Sequence, residues 1–255
     1  MEKRVHLRTI ALGLILTASI VASPAKAESA APKQDAWQFD ATPYLWGAGL
    51  NGDVKIGRLP ATGVEASFSD VANALHFAAM VGFEGRKSRW GFIVDALYID
   101  LSESTTVPKG QAGNVDASLT EQIYTGFASY RVLEGDVAVD LFAGPRYVSI
   151  ATDLNLTSGI LAPRAKSASV SWWDGLGGAR VKWRLPKNWW LMGAVDVGGG
   201  GSKLTWEALV GAGYEFKKVA SMKFGYRYLS IDYETTSLVY DMATAGPYVG
   251  VGFRF

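Results

Sequence analysis

The sequence predicts an all-β chain, folded as a transmembrane antiparallel up-and-down β-barrel of ten strands, with eight or twelve as the alternatives. Three observations lead there. From Trp37 onward, apolar and polar residues alternate with period 2, and no period near 3.6 is sustained. Short and long connections between candidate strands alternate, as tight turns at one rim and long loops at the other require. Apolar faces of about ten residues are capped by aromatics at both ends, the length and chemistry of a tilted strand crossing lipid.

Composition narrows the alternatives. Of the 255 residues, 49% are hydrophobic and 19% charged, with a formal net charge of +1, which excludes a disordered chain and argues against a polyanion or nucleic-acid binder. There is no Cys, hence no disulfide framework and no thiolate metal site. No group of residues has metal-ligand spacing, and no cofactor is expected. After the first residues no apolar run approaches the length of a membrane helix. Gly (29) and Trp (9) are nevertheless in excess for an ordinary soluble domain.

The elements follow in order. Residues 1–27 read as a secretory signal peptide: Lys3, Arg4 and Arg8 open it, Thr9 to Val21 is apolar, and Ala25-Lys26-Ala27 is a small-x-small cleavage site. Its removal takes away Lys3, Arg4, Arg8, Lys26 and Glu2 and moves the formal net charge from +1 to −2. Residues 28–36 are small and polar and are expected to form a disordered lead. The barrel is expected over 37–255, with strands near 37–48, 76–86, 90–101, 116–132, 137–152, 168–184, 189–198, 203–216, 220–233 and 246–255. Long connections are expected at 49–75, 102–115, 153–167 and 234–245. The first contains a short helical stretch, Asp70 to Leu75, and a hairpin extension over Gly63 to Ser69. The link Gly199 to Ser202 is short where a long one is due.

Within the strands the two faces separate cleanly. Trp173, Gly175, Gly177, Ala179, Val181 and Trp183 oppose Asp174, Gly178, Arg180 and Lys182. Met222, Phe224, Tyr226 and Tyr228 oppose Lys223, Gly225 and Arg227. A soluble barrel would turn the charged face outward. The aromatic caps argue the reverse, because such rings favour the headgroup level. The expected girdle is Trp37, Trp90, Trp173, Trp183, Trp189, Trp206 and Phe216. The charged faces then form a lumen network of Glu84, Arg86, Asp95, Glu121, Asp140, Arg146, Asp174, Arg180, Lys182, Asp196, Glu207, Glu215, Lys223 and Arg227, with Asp40, Arg131 and Arg254 beside them. Opposite charges in so narrow a lumen should pair, since an unpaired buried charge is costly. Two functions follow: a structural barrel with a plugged interior, or a narrow porin-like channel of weak ion selectivity.

The last strand, Pro247-Tyr248-Val249-Gly250-Val251-Gly252-Phe253-Arg254-Phe255, ends on an aromatic residue. It resembles the C-terminal signal of Gram-negative outer-membrane β-barrels, which the outer-membrane assembly machinery reads; Phe253 and Phe255 would carry it. The segment Phe39-Asp40-Ala41-Thr42-Pro43-Tyr44-Leu45-Trp46-Gly47-Ala48-Gly49-Leu50-Asn51-Gly52 is similar to uncharacterised outer-membrane proteins of proteobacteria. The resemblance implies the cell outer membrane as location, lipid and lipopolysaccharide as surroundings, and a monomer. Arg164 and Lys166, in the 153–167 loop, are candidates for lipopolysaccharide phosphates. A non-enzymatic protein is expected. The alternative is a lipid or peptide hydrolase built on His76, which has Ser67, Ser69 and Asp70 near it in sequence; omptin-like Asp-x-His or paired-Asp motifs are absent around it.

Overall fold

The computed structural model describes residues 36–56, 62–106, 114–156, 164–216, 219–236 and 238–255. The expected signal peptide and all but the last residue of the lead lie outside them. The strands are β1 (Gln38–Trp46), β2 (Gly49–Ile56), β3 (Thr62–Ala66), β4 (Leu75–Lys87), β5 (Trp90–Thr106), β6 (Asn114–Leu133), β7 (Val137–Leu156), β8 (Arg164–Arg184), β9 (Trp189–Gly200), β10 (Leu204–Phe216), β11 (Ala220–Glu234) and β12 (Leu238–Arg254), with one helix, α1 (Phe68–Ala74). β1 and β4 to β12 form a closed antiparallel barrel of ten strands, because β1 pairs with both β4 and β12. β2 and β3 are the two additional strands.

The connections are shorter than the sequence suggests. Strands β5 to β8 run into the expected loops 102–115 and 153–167, and β12 begins at Leu238 inside the expected loop 234–245. The physical reason is that the outward faces turn polar there, as at Ser102, Ser104, Asp116, Ser118, Asp153 and Asn155, while pairing continues across the sheet. Polarity that reads as loop is a strand facing water. Arg164 and Lys166 accordingly lie on β8, paired with Leu156 and Leu154; their side chains lie outside the described set. The short link beyond Gly200 is a tight turn. Its Ser202 amide donates to Asp174 (2.8 Å), which fixes the turn; at the same rim the β5–β6 and β7–β8 connections are longer.

β1 and β2 are one long strand. Their register against β12 runs from Asp40↔Arg254 to Trp46↔Tyr248 and resumes at Gly49↔Ala245 without slipping. The other edge of this strand is split. β4 pairs with it only up to Pro43↔Val81, and β3 takes over from Leu50↔Ala66. Pro43 has no amide to continue the ladder. Between these points α1 leaves the wall. Ser67 caps it, accepting from the Asp70 amide (3.3 Å) while Asp70 Oδ2 accepts from the Ser67 amide (2.8 Å), a reciprocal capping box. The Phe68 ring rests against Gly47, where a Cβ would lie 3.2 Å from it.

The faces change character along each strand. Toward the terminal end, which carries the start of β1 and Phe255, the outer face is apolar: Val94, Leu141, Val181, Leu191, Val210, Phe224 and Val251 are all exposed. Aromatics border this band. Trp37, Trp90, Trp183, Trp189 and Phe216 ring the terminal end, with Phe253 and Phe255 exposed beside them. Trp173 lies nearer the other end. Trp206 is half-buried and stacks on Tyr228 at 4.7 Å. Farther from the terminal end the lumen side itself becomes apolar. Several charged residues are followed on the same face by a hydrophobic one: Asp95 by Leu97, Arg146 by Val148, Asp174 by Trp172, and Arg227 by Leu229 and Ile231. With Trp46, Met80, Ile123, Ile150 and Tyr233 these form a continuous buried core inside the barrel. Val148 is 0% exposed and Leu97 1%, so the lumen is filled at this level. Trp172 stacks on Tyr233 with ring centroids 3.9 Å apart.

Candidate functional site

The charged lumen lies between this apolar layer and the terminal end, and it resolves into four groups, the last of them around Glu215. The first is built on Asp140, which is 1% exposed and sits on β7. It accepts from Arg86 of β4 (3.0 Å), from Arg131 of β6 (2.8 and 3.1 Å) and from Arg180 of β8 (2.8 and 3.2 Å). Arg180 also grips Glu84 with two parallel bonds of 2.8 and 2.7 Å, the bidentate geometry that makes guanidinium–carboxylate pairs strong. Arg86 reaches Glu84 at 3.2 Å. Three arginines thus share two carboxylates.

The second group has the opposite imbalance. Arg146, 1% exposed, donates to Thr125 (3.1 Å), Thr205 (3.0 Å), Asp196 (3.1 Å) and Glu207 (3.1 Å). Arg227 bonds Glu207 (2.9 Å) and the Tyr44 hydroxyl (2.7 Å), and pairs with Asp95 at 3.1 Å. Tyr44 in turn donates to Asp95 at 2.9 Å. Here two arginines face three carboxylates. The third group is Lys223 with Asp40 (2.6 Å) and Thr42 (2.7 Å). Glu215 accepts from Arg254 (3.2 Å), with Lys182 3.9 Å away and over the Trp190 ring.

Two expected members of the network stand apart. Asp174 makes no ion pair among the described residues; it accepts from Trp172 Nε1 (3.0 Å) and from the Ser202 amide, and so is a turn anchor. Glu121 lies within the apolar layer, across from Ile99 and Ile150, and accepts from Tyr240 (3.1 Å) rather than from a base. Tyr44, Thr125 and Thr205 belong to the network although charge alone does not reveal them. Their position in the period-2 pattern does, since each shares a face with an ionic residue.

His76 lies on the outer surface at the far rim, 72% exposed, with Nδ1 3.0 Å from Asp100 Oδ2. Ser67 and Ser69 do not join it: their hydroxyls bond each other (2.7 Å), and Ser67 also donates to Asp70 (2.6 Å) within the cap of α1. At the other rim, the Phe255 amide donates to Phe39 O (3.1 Å) and the Phe39 amide to Phe255 O (2.9 Å), which lays the last residue into the β1–β12 junction.

No protein-family profile and no curated protein matches this sequence. Among solved structures, the outer-membrane protease OmpT of Escherichia coli is similar with a TM-score of 0.53 at 8% identity, over 86% of this chain and 97% of that one. A major outer membrane protein from Thermus thermophilus has a TM-score of 0.44 at 14% identity, over 86% and 100% of the two chains. Neisserial surface protein A has a TM-score of 0.35 at 14% identity, over 86% and 97%. The likeness to OmpT gives the fold alone, that of an outer-membrane β-barrel.

Proposed function

We propose that this protein is an integral outer-membrane barrel, exported by cleavage after residue 27, with a lumen closed at rest and a structural, non-enzymatic role. The observation that carries the closed state is the apolar layer from Trp46 to Tyr233. Ion pairs alone could exchange with water and pass solutes. A packed hydrophobic layer across the barrel excludes both. The apolar outer band with its aromatic borders supports the location, and the start of β1 and Phe255 on the tight-turn side support a periplasmic terminal end. On this reading the protein's surroundings are lipid and lipopolysaccharide, its terminal strand is presented to the assembly machinery, and the barrel works as a monomer. Planar-bilayer recording tests it. The wild-type protein should give no steady unitary conductance, whereas discrete long-lived steps would establish the narrow porin-like channel instead.

The hydrolase reading rests on the His76–Asp100 pair, because an acid that orients imidazole is half of a general-base arrangement. Against it stands the engagement of Ser67 and Ser69 in the helix cap. Hydrolysis of a lipid or peptide by wild type and its loss in His76→Ala would favour this reading.

A further inference from the structure

Between the charged groups lies a cavity of about 200 Å³. An apolar cavity of about 150 Å³ takes up benzene, so this one has room for a single ring with a small substituent. Its waist is apolar: Phe127, Phe142, Met192 and Leu209 line it, with the two phenyl centroids 4.6 Å apart. Two of its lining residues carry a buried donor with no partner among the described residues, Arg227 Nε and the Tyr248 hydroxyl, both lying beneath the cavity surface. A small rotation of either side chain would bring its donor to an acceptor oxygen in the cavity.

The charges around the cavity decide what kind of molecule this is. Arg227 is paired with Glu207 and Asp95, Arg146 with Asp196 and Glu207, Arg180 with Glu84, and Lys223 with Asp40. An incoming ion would have to break one of these pairs in a confined space. A neutral molecule would not. From these observations we infer that the cavity is a binding site for a neutral, single-ring molecule bearing an oxygen acceptor, such as a phenol or a benzyl alcohol. The ring sits among the phenyl and thioether side chains, and the oxygen faces Arg227 and Tyr248. Entry is from the terminal end. A second cavity of about 280 Å³ lies there, and both cavities share Asp40, Glu84, Arg180, Met192 and Lys223. Two ion pairs and the Met192 side chain thus lie at their boundary. The inference goes beyond the closed structural barrel and does not depend on its conductance.

The test is fluorine NMR of the detergent-extracted protein with 4-fluorobenzyl alcohol. A saturable bound resonance, distinct from the micelle-partitioned line, is expected. Gly82 lines the cavity, and a Cβ there clears its nearest neighbours by 3.9 Å, so Gly82→Leu should fill the space without a clash at the backbone. It should remove the bound resonance while the barrel keeps its heat-modifiable gel mobility. Tyr248→Phe should weaken the alcohol by roughly tenfold or less, the range of one hydrogen bond, and leave fluorobenzene unchanged. Fluorobenzoate should not compete. The inference is overturned if wild type shows no saturable resonance, if folded Gly82→Leu binds as wild type does, or if the benzoate binds more tightly than the alcohol.

Discussion

Asp140→Ala is the sharpest test of the charged lumen. The carboxylate is 1% exposed and receives hydrogen bonds from three arginines on three other strands. Removing one partner of a buried ion pair costs about 3–5 kcal/mol, mainly because the other charge stays buried. Two features here point to the lower end. Glu84 remains as a partner for Arg180 and Arg86, and the adjoining cavity admits water to the arginines. Arg131 has no such fallback among the described residues, since its acceptor is Asp140. The expected loss is therefore about 3 kcal/mol, a factor of roughly a hundred or more in the folding equilibrium constant. Reversible urea unfolding in lipid vesicles, followed by tryptophan fluorescence, measures it. Asp100→Ala, which disturbs only the exposed pair with His76, serves as the reference and should cost about 0.5 kcal/mol or less. If Asp140→Ala costs under about 1 kcal/mol, the arginines are solvated by a wet lumen and the network does not hold the strands.

Further predictions follow from the backbone and the rim. Gly246→Ala should destabilise by about 1–3 kcal/mol in the same assay, because a Cβ there would lie 2.1 Å from Gly47 O. Gly177→Ala, with nothing within 4 Å of its Cβ, should be neutral; equal effects would refute the close approach of β12 to β1. The Asp70 carboxyl is held below the usual carboxylate range by hydrogen bonds from Ser67. The cap of α1 should thus be intact at neutral pH and be lost only as pH falls through that lowered value. NMR titration reads it, and a midpoint at or above the ordinary Asp range would contradict the capping box. Deleting Phe255 should slow assembly into the outer membrane, measured by heat-modifiable mobility after induction, while wild-type assembly rates would show that the two bonds to Phe39 carry no weight.

Much of the barrel was legible in the sequence because one rule, alternation with period 2, acts at every strand. Trp173 to Trp183 and Met222 to Tyr228 declare their lipid face outright, and the parity that sends Arg180 and Arg227 inward follows from the same count. The layer from Leu97 to Ile231 was not legible for a related reason. An apolar residue at a lumen position looks like a lipid-facing residue one register away, and only the neighbouring strands say which it is. The strand ends were misread as loops because Ser102, Asp116 and Asp153 are polar on a face where lipid was expected. The partners of Asp140 were beyond reach. They come from β4, β6 and β8, and their convergence depends on registers that no local pattern encodes. Asp174 and Glu121 show the limit of charge as a signal: each lies on the inward face, yet each serves a hydroxyl, an indole or a turn.

The departure of α1 from the wall has a consequence for how this barrel tolerates change. From Leu50 to Pro43 the long strand descends seven positions, while its partner descends fifteen, from Ala66 to Val81. The surplus of eight is the seven residues of α1 and one at the irregularity between Leu75 and Phe77. β4 nonetheless keeps its phase, with Glu84 and Arg86 toward the lumen and Phe83 toward lipid, because its register is set by pairing with β1 and β5 and not by the length of what precedes it. The bulged residue takes up the one position by which β4 overruns β5. The α1 excursion is therefore a place where the wall accepts insertion: a segment spliced in place of α1 should leave the barrel closed as long as it returns the chain to Leu75.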